Sequence, residues 1–286
     1  MEYKKPLSTI DQVEYLKENK RVVFKDKTQS EDLLLRYNYI NVVSPFKHIF
    51  ARNNSNDPYK SDRDENHKHI YDRDVRFEEY LEKLSEERRK YSEMYDGLHK
   101  FESAYRSIVS NFFLSRFQID NSEKATRHFE IIKKRFENVE FQSKFGEERA
   151  MAKRLNIIDS INGIIYRVNG NADRKIEETN IYLVFERLSL KELNAVFWGL
   201  PYKWQEEIVK KLSLWKLDFG AKNLYDFKKK AFNLVSIRNS IMHFNSLTIL
   251  LKYSDYKKGI LRERNSRENY IRLMNGLTYI SQNVKL

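Results

Sequence analysis

One stretch of the chain, residues 76–116, has the sequence RFEEYLEKLSEERRKYSEMYDGLHKFESAYRSIVSNFFLSR. Its apolar side chains recur every three or four residues, the spacing that places them on one face of an α-helix. They are Phe77, Tyr80, Leu81, Leu84, Tyr91, Tyr95, Leu98, Phe101, Tyr105, Ile108 and Phe112. The pattern predicts one long amphipathic helix, with Asp96-Gly97 as a candidate position for a break or bend.

The composition of the whole chain favours helices as well. Its 286 residues are 41% hydrophobic and 14% aromatic, enough to bury a sizeable core. Only 8 glycines and 4 prolines accompany 33% charged residues, so the turn residues that all-β folds need are scarce. The predicted fold class is therefore all-α.

The first half of the chain is predicted to contain three regions. A helix follows Ser8 and Asp11, which form a capping pair, and a second helix begins near Ser30. Residues 1–52 therefore form an N-terminal helical cap. Residues 53–74 are almost devoid of apolar side chains and are predicted to be a polar loop or linker. Residues 75–286 form the main helical domain.

The rest of the main domain is also predicted to be helical. Further helices are expected at 123–137, 147–161, 176–187, 190–198, 201–212, 223–251 and 262–282. Residues 162–174, in which Asn-Gly pairs flank a short apolar run, are predicted to be a loop, with a small β-hairpin as the alternative.

Several classes of site and location are disfavoured. The chain has no cysteine, which excludes disulfides, cysteine-ligated zinc and thiol nucleophiles and fits a cytoplasmic protein. His67 and His69 lie among acidic residues in the polar loop, but metal ligands need a packed surrounding that this loop lacks. We therefore expect no metal and no cofactor. No apolar run approaches the roughly 18 residues of a membrane span, so no membrane partner is expected.

Positive charge is concentrated in the C-terminal third. Of the formal net charge of +12, residues 186–286 contribute +10, from 19 Lys and Arg against 9 Asp and Glu. Such a field favours polyanions such as RNA, DNA or anionic lipid, although solubility alone is the alternative explanation. The candidate RNA contacts are Lys228, Lys229, Lys230, Arg262 and Arg264.

The same third contains the candidate catalytic residues, in Arg238-Asn239-Ser240-Ile241-Met242-His243. At about 100° per residue, Asn239 and His243 share a helix face opposite the apolar stripe, and Arg238 lies on the flank. An arginine four to six residues before a histidine is expected about once by chance in this composition. Arg63 and His69 in the polar loop are a second example, so the spacing alone carries little information.

This motif resembles the R-N-x-x-x-H signature of HEPN-superfamily ribonucleases. Within that superfamily the chain is similar to the Abi-like (AbiD/AbiF) abortive-infection proteins of bacterial phage defence. The segments that carry the resemblance are KPLSTIDQ (5–12), LRYNY (35–39), FESAYR (101–106), FERLSL (185–190) with Leu193, and the motif itself. The ordered set covers most of the chain and is more specific than any single segment.

The resemblance implies a HEPN-type helical bundle with an N-terminal helical extension. It also implies metal-independent RNA cleavage that leaves a 2′,3′-cyclic phosphate. His243 would act as general base or acid, Arg238 would hold the scissile phosphate, and Asn239 would orient the backbone or the histidine. Glu102 and Arg106, four residues apart, are possible supporting residues.

The resemblance also implies partners. HEPN sites bring two motifs together and this chain has one, so a homodimer is expected. As the toxin of a toxin–antitoxin pair the protein would need an inhibitor, and the expected inhibitor is a small non-coding RNA antitoxin. Two other functions remain open: a non-catalytic RNA-binding protein, and a structural helical protein in which Arg238 pairs with Glu102.

Overall fold

The chain folds almost entirely into helices. The computed structural model describes residues 7–137, 156–169, 181–212, 221, 223–243, 245–254 and 266–284. Thirteen helices and two strands of two residues each lie within these residues, which confirms the all-α fold class. In chain order they are α1 (Thr9–Lys20), β1 (Val22–Val23), α2 (Lys27–Tyr37), α3 (Tyr39–Val42), α4 (Lys47–Phe50), β2 (Val75–Arg76), α5 (Phe77–Arg116), α6 (Ser122–Glu137), α7 (Ile157–Val168), α8 (Ile181–Glu186), α9 (Leu190–Gly199), α10 (Tyr202–Lys211), α11 (Leu224–Met242), α12 (Leu247–Ser254) and α13 (Ser266–Asn283).

Contacts divide the chain into two compact units. Unit 1 is made of Met1–Met94 and Ile237–Ile271, and unit 2 of Tyr95–Ser236 and Arg272–Leu286. The predicted cap, polar loop and main domain were defined by composition along the sequence. The two units are defined instead by contacts between residues in the folded chain. Both units draw on α5, which runs from residue 77 to residue 116.

The core of unit 1 joins the N-terminal helices to the start of α5. Leu16, Leu34, Phe46, Phe77 and Tyr80 are all buried in one apolar cluster. The hydrophobic effect therefore packs the predicted cap against the first turns of the long helix.

Local hydrogen bonds fix where the first helix begins and ends. The Ser8 hydroxyl accepts a hydrogen bond from the Asp11 amide at 3.2 Å, which confirms the predicted cap of α1. After α1, Arg21 adopts a left-handed conformation with φ of 52°, and its carbonyl accepts from the Val75 amide at 2.9 Å. This turn brings β1 beside β2 in a parallel pair.

The polar loop is held by specific hydrogen bonds. The Asp62 amide donates to the Arg52 carbonyl at 2.7 Å, and the Ile70 amide donates to the Asp62 carbonyl at 3.2 Å. Arg267 at the start of α13 pairs with Asp57 at 2.8 Å and stacks on the Tyr59 ring. The loop thus has defined partners within unit 1. Among the described residues, no group of three or more His, Asp or Glu is arranged to hold a metal ion.

The long helix is confirmed, and Asp96-Gly97 does not break it. The reason for a glycine at position 97 is a close approach to α13: an added Cβ would lie 1.9 Å from the Leu277 carbonyl oxygen. Farther along α5, Tyr105 packs edge-on against Phe197 and Phe227, with ring centroids 5.8 and 6.4 Å away. These aromatic contacts form part of the core of unit 2.

Two predictions about secondary structure are wrong. Residues 162–168 are not loop or hairpin, because they continue helix α7, whose Ile157, Ile161, Ile164 and Val168 are buried at helical spacing. The helix predicted over 223–251 is interrupted: α11 ends at Met242, and α12 begins at Leu247. Parts of three predicted helices, 147–155, 176–180 and 262–265, lie outside the described residues.

Replacing Gly97 with alanine should destabilise the protein, because the new methyl group must displace the backbone of α13. We expect Gly97→Ala to lower the free energy of unfolding by about 1–3 kcal/mol in urea denaturation.

Gly163→Ala in α7 is the matched control. An added Cβ there would meet only the Glu192 carboxylate, at 3.8 Å. Because alanine favours helix, this variant should be more stable by about 0.5–1 kcal/mol. Equal effects of the two substitutions would contradict the close packing of α5 and α13.

Candidate functional site

The motif side chains are displayed by the last turn of α11. Ile237, Ser240 and Ile241 are buried, while Asn239 and His243 are exposed and Arg238 is half-buried. The apolar spacing of the helix therefore fixes which residues face outward. The side chain of Met242, next to the histidine, is also 43% exposed.

Asn239 connects the other two motif residues. Its side-chain oxygen lies 3.4 Å from Nη1 of Arg238, at the long end of hydrogen-bonding distance. Its backbone carbonyl accepts the His243 amide at 3.0 Å. The carboxamide thus contacts the guanidinium, and the backbone places the histidine directly after the last helical residue, Met242.

A hydrogen bond from the Asn245 amide to the Ser240 carbonyl, at 2.9 Å, closes the end of α11. Tyr91 of α5 fixes the segment that follows. Its hydroxyl donates to the Asn245 carbonyl at 2.6 Å and accepts from the Leu247 amide at 3.1 Å. Burial, with the nearby charge of Glu87, raises the pKa of Tyr91 well above its usual value, so the hydroxyl keeps the proton that it donates.

Glu87, one turn before Tyr91, holds the start of α12. Its side chain is only 7% exposed, and its Oε1 accepts from the Thr248 amide at 2.7 Å and from the Thr248 hydroxyl at 2.9 Å. The Ser246 hydroxyl donates to the same oxygen at 3.0 Å. A buried carboxylate is tolerated when hydrogen-bond donors surround it, and a helix N-terminus adds favourable dipoles. Glu87 and Tyr91 therefore position residues 245–248, shortly after the motif.

Sequence reasoning missed this role of Glu87 and assigned Tyr91 only to the apolar stripe. One signal was present: Leu84, Glu87 and Tyr91 follow helical spacing, so Glu87 occupies a position where the stripe calls for an apolar residue. A charged residue at such a position needs a buried partner. The identity of that partner, more than 150 residues later in the chain, is not visible in the pattern.

The structure places the predicted RNA contacts differently from expectation. Lys228 is 2% exposed, with its ammonium over the rings of Trp198 and Tyr202. Lys230 is also 2% exposed and pairs with Asp226 at 3.2 Å. These two lysines are buried against aromatic rings and beside Asp226, so the structure does not present them to RNA.

Of the other three predicted RNA contacts, the structure describes one. Lys229 is half-buried over the Tyr225 ring, with its ammonium 4.4 Å from the ring centroid. Arg262 and Arg264 lie outside the described residues.

Comparison with known proteins identifies the family. The model of the Abi-like proteins matches residues 32–248, three quarters of the chain. The chain belongs to the Abi-like protein family. Membership implies a role in abortive-infection phage defence. No curated protein and no solved structure matches the chain.

The matched region includes the RNxxxH motif and three of the other four segments that carry the resemblance; residues 5–12 precede it. Among the described residues, no helix of this Abi-like protein is both long and apolar enough to cross a membrane.

Two of those segments meet in unit 2 of this Abi-like chain. Arg106 pairs with Glu102 at 3.0 Å, as their spacing predicts, and its Nη1 donates to the carbonyls of Phe185 and Glu186 at 2.9 and 3.0 Å. The same nitrogen contacts the Leu188 carbonyl. The segments FESAYR and FERLSL are thus joined by one guanidinium.

The turn that Arg106 holds leads into α9. Ser189 caps this helix in a capping box. Its hydroxyl accepts a hydrogen bond from the Glu192 amide, and the Glu192 carboxylate accepts one from the Ser189 amide. Glu102 thus has Arg106 as an ion-pair partner, and no observation supports the alternative in which it pairs with Arg238. A supporting role of Glu102 and Arg106 in the candidate site remains a prediction.

Glu87→Ala should destabilise the segment after the motif, because three donors lose a buried acceptor. We expect the free energy of unfolding to fall by about 1–3 kcal/mol. Glu87→Gln, which keeps an acceptor oxygen, should lose less.

Glu93→Ala is the control on the exposed side of the same helix, and its effect should stay within about 0.5 kcal/mol. Urea denaturation measures all three variants. Equal stability of Glu87→Ala and Glu93→Ala would refute the positioning role of Glu87.

Proposed function

We propose that this protein is a metal-independent endoribonuclease of the HEPN type. It acts in the cytoplasm in abortive infection, or as the toxin of a toxin–antitoxin pair. The observation that carries the proposal is the exposure of Asn239 and His243 at the end of α11, beside Arg238, in a chain of the Abi-like family. A histidine and an arginine on one surface turn suit acid–base chemistry at a phosphate.

Each motif residue has a role in the proposed reaction. The 2′-hydroxyl of the RNA attacks the adjacent phosphorus and loses its proton to His243, the 5′-oxygen leaves, and a 2′,3′-cyclic phosphate remains. Arg238 stabilises the charge that builds on the phosphate oxygens. Asn239, which contacts Arg238 and carries the backbone bond to His243, orients both.

The proton balance of this reaction supports a homodimer. One proton leaves the 2′-hydroxyl and one must reach the departing 5′-oxygen, whereas one copy of the motif supplies a single imidazole. A second copy across a two-fold axis would supply the other group. The exposed Met242 beside His243 offers apolar area for such an interface.

The proposed partners are RNA molecules. A nuclease that acts on the host needs restraint, and the net charge of residues 186–286 suits a small non-coding RNA antitoxin as well as a substrate. With Lys228 and Lys230 buried, exposed lysines such as Lys203 and Lys210 on α10 are better placed for phosphate contacts.

His243→Ala should abolish RNA cleavage without unfolding the protein, because the side chain is exposed. Total RNA incubated with wild type and EDTA should yield fragments with 2′,3′-cyclic phosphate ends. The variant should be slower by at least about 100-fold. His99→Ala, at an exposed position of α5, is the control and should cleave like wild type.

Two outcomes would overturn the nuclease proposal. Cleavage that persists in His243→Ala would exclude the assigned residue. RNA that is bound with a steep salt dependence but stays intact would favour the alternative function, a non-catalytic RNA-binding protein.

The chain of 34.6 kDa should sediment as a dimer at micromolar concentration, with RNA cleavage falling as dilution separates the subunits. Analytical ultracentrifugation beside an activity titration measures both. A monomer with full cleavage activity would exclude the shared site.

A further inference from the structure

Three aromatic rings form a continuous row on the surface of unit 2. The Trp204 ring of α10 lies edge-on to that of Phe117, the residue after α5, with the ring centroids 5.0 Å apart. Phe117 stacks in turn on His128 of α6, with the centroids 4.1 Å apart. Each of these side chains is half-buried, so part of each remains in solvent. Single exposed apolar side chains are common on protein surfaces, whereas a contiguous aromatic row indicates a binding surface.

Two exposed cations lie at the Trp204 end of this row. The Arg116 guanidinium is 6.0 Å from the ring centroid of Trp204 and 5.7 Å from that of Phe112. The Lys211 ammonium is 5.9 Å from the Phe112 centroid. Arg116 also pairs with Glu207 at 2.9 Å, but the two side chains are 50% and 32% exposed. An ion pair so accessible to water is weak, so Arg116 can exchange this carboxylate for another anion.

The charges at this end of the row are mainly positive. Lys203 and Lys210 are exposed and seven residues apart, so they share one face of α10 beside Trp204. The C-terminal ends of α5 and α10 favour basic residues, which accounts for part of this charge but not for the rings beside it. Cations outnumber carboxylates here, with Arg116, Lys203, Lys210 and Lys211 against Glu206 and Glu207.

We propose that the Trp204 row, made of Trp204, Phe117 and His128, binds single-stranded RNA by base stacking, while Arg116 and the lysines of α10 contact its phosphates. The inference rests on the proposed function only in taking RNA as the nucleic acid. The bases of a single strand have free faces that stack on aromatic side chains, and its backbone needs cations. A duplex keeps those faces stacked inside the helix, so it cannot use the rings.

Two side chains of the surface suit this mode of binding. Burial, followed by the charge of Arg127, lowers the pKa of His128, so its imidazole is mostly uncharged at neutral pH and adds a flat neutral ring to the row. Arg116 already lies against Trp204 and needs only to leave Glu207 to reach a phosphate of a strand whose base occupies the ring. Stacking tolerates every base, so we expect little sequence preference from this surface.

Fluorescence anisotropy tests the proposal with a labelled oligouridylate and a labelled RNA duplex of the same length. All proteins carry His243→Ala, so RNA stays intact and binding is measured independently of cleavage. We expect Trp204→Leu to weaken binding of the single strand by about tenfold, as loss of a stacked base does, and Trp204→Phe to retain most of the affinity. Tyr279→Leu removes another exposed aromatic ring of unit 2 and should bind like the parent.

A salt titration tests the phosphate contact separately. Arg116→Gln should reduce the slope of log K against log salt by about 0.7, the value for one phosphate contact on a single strand. Arg36→Gln is the matched control, since Arg36 is equally exposed and pairs with Asp32 at 2.9 Å; its slope should equal that of the parent. If Trp204→Leu does not fold, this pair of variants decides the proposal.

Three outcomes would overturn the proposal: no binding of the single strand by the parent, equal binding by the parent and the folded Trp204→Leu variant, or a duplex bound as tightly as the single strand. Poly-glutamate that binds more tightly than the oligouridylate would indicate an acidic protein partner instead. None of these results decides the ribonuclease assignment, because cleavage is measured separately with His243 intact.

Discussion

The apolar stripe of α5 contributes to the cores of both units. Over 40 residues this helix supplies Phe77 and Tyr80 to the core of unit 1 and Tyr105 to the core of unit 2. It also positions Gly97 against α13 and Arg106 against the turn before α9. Because one helix carries all these contacts, each of them depends on the register of its apolar side chains.

The same helix reaches the candidate site through two polar groups on its buried face. Glu87 and Tyr91 together satisfy four backbone and side-chain donors of residues 246–248, and Tyr91 donates to Asn245. Unmade hydrogen bonds at buried groups are costly, so these bonds hold residues 245–248 in place. The position of residues 246–248, shortly after the motif, therefore depends on a carboxylate far away in the sequence.

Much of the fold follows from local pattern, and the errors arise where distant residues decide. Periodicity was sufficient for α5, and the Ser8 cap was visible in the sequence because its partner is three residues away. The helix predicted through residue 251 is interrupted because Glu87 and Tyr91 stabilise a turn that no local signal specifies. At residues 162–168, two Asn-Gly pairs suggested a turn, but the burial of isoleucines on α7 outweighs that preference.

In the candidate site, too, some features follow from the local sequence and others depend on distant residues. The helical face that carries Asn239 and His243 follows from the sequence, whereas the burial of Lys228 and Lys230 depends on the aromatic and acidic neighbours that fold around them. Charge counted along the sequence does not say which charges reach solvent. The exposure of a side chain was therefore easier to predict from a helical motif than from a run of lysines.

Phage defence by His243 can be measured as the plating efficiency of phage on bacteria that produce either wild type or His243→Ala at equal levels. We expect wild type to protect the culture and the variant, although folded, to give no protection. Equal protection by both proteins would show that phage defence does not require the imidazole of His243, and would contradict a ribonuclease centred on this motif.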